Sequence, residues 1–390
     1  MRTTAAVFLL TMVFVPLVAT GQPGAGKMLE FTTGDEPLLN APVSLPWDGD
    51  APAGTVTVVP EKGDKAYPAT VRDGELVFVV DEAKAGETYR CTVKVSEEKH
   101  KPEVVIEKAG DKDALTVTVD GEHFTTYRYS NENKKPFLWP VHGEGQVTVT
   151  RNYPMGEDKI PHEDHVHHKS IWTAYGNLNG TDCWGEGLGS GYQHSDKVTC
   201  GSGDAYGWIH AENVWQDMRH KPVIDETREY RFYATPAGAR IFDVKVVFSA
   251  RYGDVKFGDT KEGGIVAVRI RPEIEVLKNG RITNAQGKKN EPLCWGKPSE
   301  WCDYSGEIED VGVRGVAVFD HPENLRHPTR WHVRNYGLMG ANGFGLSYFT
   351  KRERKMEGKE GTMLFLVMAV TYTNQRGEVV ARGRNTYIRY

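Results

Sequence analysis

The densest group of chemically active side chains lies in residues 162–172, where four of the thirteen histidines of the chain fall within seven positions. Two carboxylates and a lysine lie among them. Imidazole and carboxylate groups need new partners when they leave water, so such a group is rarely assembled for packing alone. In an extended segment, His165 and His167 would share one face, and His168 would lie on the other. The pattern favours a functional site over a solvated surface loop.

Three further polar clusters follow. Residues 258–264 combine a lysine and a glutamate with three glycines and lead into a strand-like run that contains two arginines. By alternation, Arg269 in that run would share a face with Ile265. Residues 301–306 set a carboxylate between two aromatic rings, which can stack a sugar ring and bind its hydroxyls. Residues 331–337 carry a histidine and an arginine on one face of an extended segment.

Each cluster also has an ordinary structural interpretation. The charged residues within 261–271 would form ion pairs on an exposed sheet. Trp301 and Tyr304 would be core residues, with Asp303 capping a turn. Residues 320–322 would end a strand at a proline. For these three residues we favour the structural interpretation over a functional one.

Two kinds of chemistry fit the clusters. In the first, a histidine and a carboxylate move protons at a sugar ring, while arginine or lysine stabilises developing negative charge. In the second, a His-x-His pair and a remote histidine bind a divalent metal, with His165, His167 and His332 as ligands. The sequence has no Gly-x-Ser-x-Gly motif, so a nucleophilic serine is not supported.

Composition and the N-terminus limit the partners and the location. The net charge of −5 makes nucleic acid an unexpected partner. Residues 1–21 have the pattern of an export signal, with Arg2, an apolar run over 5–18 and a small-residue cleavage site. No later segment approaches the roughly 20 apolar residues of a spanning helix. We therefore expect a periplasmic or extracellular protein without a membrane span after cleavage.

Five cysteines are present, which is an odd number. In an oxidising compartment, Cys183 with Cys200 and Cys294 with Cys302 are local disulfide candidates. The alternative is that all five remain reduced. Because no Cys-x-x-Cys pair occurs, a thiolate zinc site is not favoured.

Strand patterns dominate the chain. Residues 242–248 alternate between apolar and polar types, and residues 363–370 are almost all apolar, as in a strand covered on both faces. No amphipathic helix longer than about three turns is indicated. The predicted fold is all-β, with a small Ig-like β-sandwich over residues 22–100 and a large two-sheet β-sandwich over residues 101–390.

The sequence resembles the bacterial PmoA-like family, which carries the label methane oxygenase PmoA. The resembling blocks, in order, are residues 164–172, 179–184, 259–263, 301–306, 319–322 and 331–337. The usual first block of the family has proline at Val166, arginine at Lys169 and glycine at Ser170. This chain departs there and keeps the histidines, so the departures bear on loop shape and anion contacts.

The resemblance implies a galactose-mutarotase-like supersandwich. Enzymes of that fold, among them epimerases and lyases, use a histidine, tyrosine or glutamate as acid or base on the concave face of a sheet. Family members resemble secreted proteins of bacteria that degrade polysaccharides. A subunit of particulate methane monooxygenase would be rich in membrane helices, which this sequence lacks, so the resemblance favours carbohydrate chemistry.

We therefore predict an exported carbohydrate-active enzyme that binds a carbohydrate ligand. The candidate catalytic residues are His165, His167, His168, Glu262, Asp303 and His332. The candidate substrate-binding residues are Trp172, Trp184, Lys261, Arg269, Tyr304 and Arg334. One alternative is a metal-dependent hydrolase or oxygenase with a divalent metal at His165, His167 and His332. Another is a non-catalytic glycan-binding envelope protein.

Overall fold

The structure is a computed structural model that describes residues 26–63, 65–98, 101–110, 113–236, 238–345 and 349, and the backbone of residues 7–10, 360–372 and 379–383. Within these residues, nearly all regular structure is β. The exceptions are the α-helix Asn290–Cys294 and the 3-10 turns Glu144–Gln146 and Pro272–Ile274. The predicted all-β sandwich class is confirmed. Apart from the backbone of residues 7–10, the expected export signal lies outside the described residues.

Two large sheets of eight strands each form most of the molecule, and strands are numbered in chain order. The first of these sheets, which we call the site sheet, contains the strand that follows the histidine segment. From edge to edge its strands are β21 (Arg330–Val333), β22 (Leu338–Asn342), β17 (Gly263–Arg269), β12 (Ile171–Tyr175), β11 (Phe137–Val141), β10 (Glu122–Arg128), β9 (Ala114–Val119) and β8 (Val104–Lys108). The second sheet contains β13 (Tyr192–Gly201), β14 (Tyr206–Gln216), β15 (Pro222–Tyr233), β16 (Ala239–Ser249), β23 (Glu360–Tyr372), β20 (Gly312–Asp320), β19 (Trp301–Ile308) and β18 (Gly280–Asn284).

Six earlier strands form an N-terminal sheet. Its spatial order is β2 (Met28–Thr32), β7 (Thr88–Ser96), β4 (Thr55–Pro60), β5 (Tyr67–Arg72), β6 (Glu75–Ala83) and β3 (Leu38–Pro46). Neighbouring strands in all three sheets are antiparallel, whereas β1 (Val7–Leu10) and β24 (Val379–Gly383) pair in parallel.

The two large sheets bury the main core between them. In β16, the apolar residues of the predicted alternation, from Phe242 to Phe248, all join this core. On the site sheet, Val266 and Val268 join the same core from β17. Because every second side chain of a strand points to one face, this core leaves two outer faces, one on each sheet.

The outer face of the second sheet is covered by the N-terminal sheet. Phe78 and Leu76 of the N-terminal sheet share a buried cluster with Tyr206 and Phe319 of the second sheet. The N-terminal core is therefore continuous with the outer face of the large sandwich, and packing of this kind is mainly hydrophobic in origin.

The outer face of the site sheet carries a separate cluster that includes Trp172, Trp184 and Ala267. Ile265, only two residues before Ala267, belongs to the main core instead. The pairing of β12 with β17 shifts register at this point, which interrupts the alternation. Arg269 lies on the outer face, so the prediction that it shares a face with Ile265 is wrong.

All five cysteines are free thiols, so neither candidate disulfide forms. Burial raises the pKa of the Cys91 thiol to about 11, and that of Cys183 to about 12, which leaves both protonated at neutral pH. None of the helices in the described part of the chain has the length and apolar character needed to cross a bilayer.

Candidate functional site

The histidine segment crosses the outer face of the site sheet just before β12. It is not extended: the His168 N–H donates to the His165 carbonyl at 2.9 Å, which closes a turn. His165 itself has a φ of +45°, in the left-handed region. The assumed alternation of an extended strand therefore does not apply, and the ring of His165 stacks on that of His168 at a centroid distance of 4.7 Å.

The aromatic and imidazole rings form a continuous group. His165 also stacks on Tyr336 with an interplanar angle of 11°, and His168 lies 5.2 Å from the ring of Trp172. Trp184 lies 5.4 Å from Trp172. Trp172 and Trp184 are almost fully buried, and both rings pack against the ring of His168. Neither offers the open face for sugar stacking that the sequence predicted.

Arg151 holds the histidine turn in place, and it is fully buried. Its guanidinium donates to the carbonyls of His162 and His165, each at 3.0 Å, and to Asp164 Oδ1 at 2.6 Å. Burial, with the nearby Arg269, lowers the pKa of Arg151 to about 10, so the group stays charged at neutral pH. Its backbone N–H donates to the Arg269 carbonyl, which fixes the segment against the end of β17.

Arg269 is the second fully buried arginine of the site. It donates to Asp164 Oδ1 at 2.8 Å and to His168 Nδ1 at 3.2 Å. Because arginine can only donate, His168 Nδ1 accepts, and a neutral His168 carries its proton on Nε2. Burial, followed by neighbouring His167 and Arg269, holds the pKa of His168 well below its usual value.

Asp164 and His165 form an ordered pair. Asp164 Oδ2 lies 2.5 Å from His165 Nδ1, while Oδ1 receives both arginines. Burial raises the pKa of Asp164, but Arg269 and its hydrogen bonds outweigh this and hold the pKa below its usual value. Asp164 therefore accepts from Nδ1, and Nε2 of the half-exposed His165 ring is left to accept a proton.

A second pair lies beside the first. His162 Nδ1 is 2.7 Å from Oε1 of the buried Glu275, and Arg269 Nη2 lies 3.5 Å from the same oxygen. Burial raises the pKa of Glu275, although the hydrogen bond from His162 opposes the rise. This places a carboxyl group that protonates more readily than usual close to the ordered pair.

A buried ion triad supports the other end of the turn. Glu186 lies 3.0 Å from the ammonium of Lys135 and 3.1 Å from that of Lys169. Burial, then Lys135 and His165, lowers the pKa of the neighbouring His167 to about 4. His167 is therefore neutral at pH 7 and presents one donor and one acceptor.

His332 is 2% exposed and lies near Trp184, with ring centroids 6.2 Å apart. Burial, then Arg334 and Lys261, lowers its pKa to about 3. The backbone of Lys261 lies close enough to His332 to affect the pKa of its ring. Neither nitrogen of that ring, however, makes a hydrogen bond of normal geometry with the described residues. The indole N–H of Trp172 also lacks a partner among them.

Two predicted residues lie elsewhere. Asp303 is in β19 of the second sheet, where Ser305 donates to it at 2.8 Å, and its neighbour Trp301 packs toward the N-terminal sheet. Tyr304 is in the main core, where its hydroxyl donates to the Asn335 carbonyl and accepts the Val276 N–H. Asp303 is not part of the histidine site, and Tyr304 can act only by positioning the segment that holds Glu275.

The remaining predicted residues lie at the margin. Glu262 immediately precedes β17 and forms an ion pair with Lys261 at 3.0 Å. It is seven positions from Arg269, roughly 20 Å along an extended strand. Arg334 forms an ion pair with Glu291 at 2.6 Å. Glu262 therefore pairs with Lys261 and lies far along the strand from the Arg269 end of the site, whereas Lys261 and Arg334 influence His332 through their charge.

The ligands suggested for a metal are not arranged as a coordination shell. In the described part of the chain, no three histidine, cysteine, aspartate or glutamate side chains are placed to hold a metal ion. His165 instead bonds to Asp164, and His332 packs near Trp184.

Sequence reasoning missed several residues that the fold brings to the site. They are Arg151, His162, Glu275, Lys135, Glu186 and Tyr336. His162, Glu186 and Tyr336 lie within or beside the recognised clusters, so their position in the sequence was enough to make them site candidates. Arg151, Lys135 and Glu275 stand in unremarkable sequence, and only the pairing of strands places them here.

One family profile matches the chain over residues 114–382, and its description is "Family of unknown function (DUF6807)". This match includes both arginines and all residues of the histidine segment. Among curated proteins, none matches the chain. Because the profile covers well over half of the sequence, the chain belongs to the DUF6807 family of unknown function.

Proposed function

We propose that the protein is an enzyme that performs acid–base chemistry on a carbohydrate, with His165 as the group that transfers the proton. The observation that carries this proposal is the 2.5 Å contact between Asp164 Oδ2 and His165 Nδ1. Two buried arginines fix the carboxylate from its other oxygen. A base that is oriented by a third, rigid group is a recurring feature of proton-transfer sites.

The proton path follows from the tautomer. Nδ1–H of His165 donates to Asp164, so Nε2 accepts a proton from a hydroxyl or C–H group of the substrate. Asp164 stabilises the imidazolium that results, because its negative charge lies beside Nδ1. Returning the proton to the leaving oxygen or to the carbon restores the site.

The substrate class is inferred from the neutral imidazoles. His167 and His168 both have lowered pKa values, so both rings are neutral at pH 7. His167 offers one donor and one acceptor, while His168, whose Nδ1 already accepts from Arg269, adds the Nε2–H donor. A sugar hydroxyl has the same dual character, whereas an ion would require uncompensated charge. The charged groups here already have opposite partners, since Asp164 pairs with Arg151 and Arg269, and Glu186 pairs with two lysines. The resemblance to the PmoA-like family supports the same choice.

We also propose that the enzyme acts outside the cytoplasm after cleavage following residue 21. The support is the sequence pattern of residues 1–21. N-terminal sequencing of the protein from its native host should give a mature chain that begins at or near Gln22. A mature chain that retains Met1 would contradict export by cleavage.

The function is tested by incubating purified protein with a panel of neutral oligosaccharides and analysing the products by mass spectrometry and NMR. We expect one substrate class to be converted, and His165→Gln to lower kcat by about 100-fold or more, because positioned acid–base groups contribute rates of this size. His220→Gln is the matched control, since His220 is exposed and lies on a different turn.

The outcomes separate the alternatives. Full activity of the His165→Gln variant would remove His165 from the reaction. Saturable sugar binding by the wild type, with no product after long incubation, would overturn the enzymatic proposal and indicate a glycan-binding protein.

A further inference from the structure

The contact between the N-terminal sheet and the second sheet holds a buried aspartate that takes no part in the proposed reaction. Asp243 lies in β16 and is 5% exposed. Two residues earlier in the strand, Ile241 belongs to the buried cluster that joins the two sheets. Because every second side chain of a strand points to the same face, Asp243 also points toward the N-terminal sheet.

The carboxyl group of Asp243 is only partly satisfied. The Tyr233 hydroxyl donates to Oδ2 at 2.5 Å. The other oxygen, Oδ1, is buried and has no hydrogen-bond partner among the described residues. A buried carboxylate with an unpaired oxygen is costly, because the charge has lost its water and is not fully compensated. The neutral carboxylic acid avoids most of this cost.

The arginine opposite Asp243 is already occupied. Arg231 is the direct partner of Asp243 in the pairing of β15 with β16. Its guanidinium donates to Glu229 at 2.6 Å and to Glu75 of the N-terminal sheet at 2.7 Å. Two other carboxylates therefore share the charge of Arg231, and Asp243 gains only a longer-range attraction.

The remaining charges of the contact are balanced without Asp243. Arg72 of the N-terminal sheet lies 3.1 Å from Asp73 and 3.5 Å from Glu229. Lys245 stands opposite Glu229 in the strand pairing. Among the described residues, three cations thus face three other carboxylates, namely Arg72, Arg231, Lys245, Asp73, Glu75 and Glu229. An ionised Asp243 adds a negative charge that no cation offsets.

Other titratable groups face the same layer. His210 lies opposite Glu229 in the pairing of β14 with β15. Burial raises the pKa of the Tyr206 phenol, so it is neutral at pH 7. Residues 361–370 of β23, the other neighbour of β16, contain no ionisable side chain. None of these groups supplies the missing positive charge in the way that a nearby lysine or arginine would.

The sign of the pH effect follows from the protonation of Asp243. Burial raises the pKa of Asp243 to about 7, with help from Glu229 and Glu75, although Tyr233 and Arg231 oppose the rise. An aspartate in water has a pKa of about 3.9. The contribution of Asp243 to docking is therefore full below about pH 4, is lost as pH rises to about 7, and changes no further above that.

We propose that the contact between the N-terminal sheet and the second sheet is a pH-sensitive switch, in which a proton on Asp243 favours the docked arrangement. Ionisation adds a fourth carboxylate to a contact whose charges are otherwise balanced. Separation of the layers then lets that carboxylate reach water. The switch is independent of the histidine site and of the reaction proposed there.

One hydrogen bond across the contact reports separation directly. The N–H of Ala205, which is 1% exposed, donates to Thr70 Oγ1 of the N-terminal sheet at 3.0 Å. Amides that are protected by such a contact exchange with solvent when the contact opens. The Arg269 N–H, which donates to the Ser170 carbonyl at 2.8 Å, is the internal reference on the site sheet.

The proposal is tested by NMR measurement of hydrogen exchange at both amides in the full-length protein, at pH 5 and at pH 8. Asp243→Asn keeps the shape and cannot ionise, so the ratio of the wild-type rate to the variant rate cancels the intrinsic pH dependence of exchange and the titration of His210. We expect this ratio to rise about tenfold or more for Ala205 between the two pH values, and to stay constant for Arg269.

The matched control is Glu212→Gln, which removes an exposed carboxylate from β14 of the same sheet. Its rates should equal those of the wild type at both pH values. Thermal unfolding checks that each variant is folded, and ¹³C NMR of the Asp243 carboxyl in the wild type gives its protonation directly. The proposal is overturned by a constant Ala205 ratio, by an equal rise at Arg269, by the same rise when Glu212→Gln replaces Asp243→Asn as the reference, or by an Asp243 side chain that is already ionised at pH 5.

Discussion

At the scale of single residues, the site depends on two arginines that no solvent reaches. Arg151 and Arg269 both donate to Asp164 Oδ1, and Arg151 also binds two carbonyls of the histidine turn. A buried charge whose partner is removed is strongly destabilising, because its desolvation is no longer offset. The arginines therefore contribute to both the fold and the ordered Asp164–His165 pair.

We expect Arg269→Ala to lower the free energy of unfolding by about 3 kcal/mol, since it leaves Asp164 and Glu275 with fewer counter-charges. Urea denaturation at pH 7 measures this change. Arg219→Ala, at an exposed position, should change stability by less than about 0.5 kcal/mol. Equal effects of the two substitutions would show that the buried contacts are not important.

The lowered pKa of His332 predicts a pH effect with a definite sign. Its pKa is about 3 in the folded protein and near 6.5 when unfolded, so the unfolded chain takes up the proton first as pH falls. Stability is therefore lost between pH 6.5 and 3, by about 2 kcal/mol at pH 5.

His332→Leu should remove this loss. The measured quantity is the difference in unfolding free energy between the variant and the wild type, at pH 7 and at pH 5. That comparison cancels opposing groups such as Asp243, whose pKa burial raises to about 7. A difference that is the same at both pH values would contradict the assignment.

The residue types of the site were predictable, but their partners were not. The histidines were dense enough to be recognised from the sequence. Glu275 and Arg151 were not, because each is isolated in the sequence and reaches the site only through strand pairing. Trp172 and Trp184 were recognised for the wrong reason, since sequence cannot show that a ring is buried beneath a histidine.

At the scale of elements, the turn at residues 165–168 determines the site. Its exit passes through Ser170, which has a φ of +56° and donates its hydroxyl to Thr150 Oγ1 at 2.7 Å. The left-handed region is unfavourable for residues with a Cβ atom and easy for glycine. The hydroxyl contact offsets part of that cost.

Two substitutions at Ser170 separate the contributions. Ser170→Gly loses the hydrogen bond but relieves the backbone, so stability should change by less than about 1 kcal/mol. Ser170→Ala loses the bond and keeps the strain, and should be less stable than the glycine variant by about 1 kcal/mol. Chemical denaturation compares them, and a glycine variant less stable than the alanine variant would contradict the strained backbone.

Strand periodicity predicted which segments are strands better than it predicted the sheet that each strand joins or the face that each side chain occupies. Residues 242–248 alternate as expected in β16. Asp303 was expected either at the site or as the cap of a turn, but it lies within β19 of the second sheet, so Asp303 and the histidines belong to different sheets. Arg269 was assigned to the wrong face because a register shift beside β17 breaks the period of two.

At the scale of the whole molecule, the layers separate two outer faces. The histidine site lies on the outer face of the site sheet, and the N-terminal sheet covers the outer face of the second sheet. Arg231 of the second sheet forms an ion pair with Glu75 of the N-terminal sheet at 2.7 Å. The guanidinium of Arg72, also in the N-terminal sheet, lies 4.0 Å from the centroid of the Trp208 ring in the second sheet. The all-β class was predictable from composition and periodicity, whereas the face that carries the site was not.

Loosening the N-terminal sheet should leave the histidine site unaffected. We expect Arg72→Gln/Glu75→Gln to increase limited proteolysis near residues 101–113, because two contacts across the interface are lost. The NMR titration of the His167 ring should remain that of the wild type. A shifted His167 titration would show that the two outer faces are coupled.

The ordered Asp164–His165 pair is tested most directly by a ¹⁵N NMR pH series of the His165 imidazole, which reports the tautomer of its neutral form. We predict that the neutral form of the ring carries its proton on Nδ1, with Nε2 as the acceptor, and that this tautomer preference is lost in Asp164→Asn. A ring protonated at Nε2, or an unchanged spectrum in the Asp164→Asn variant, would contradict the proposed role of His165 as the proton acceptor.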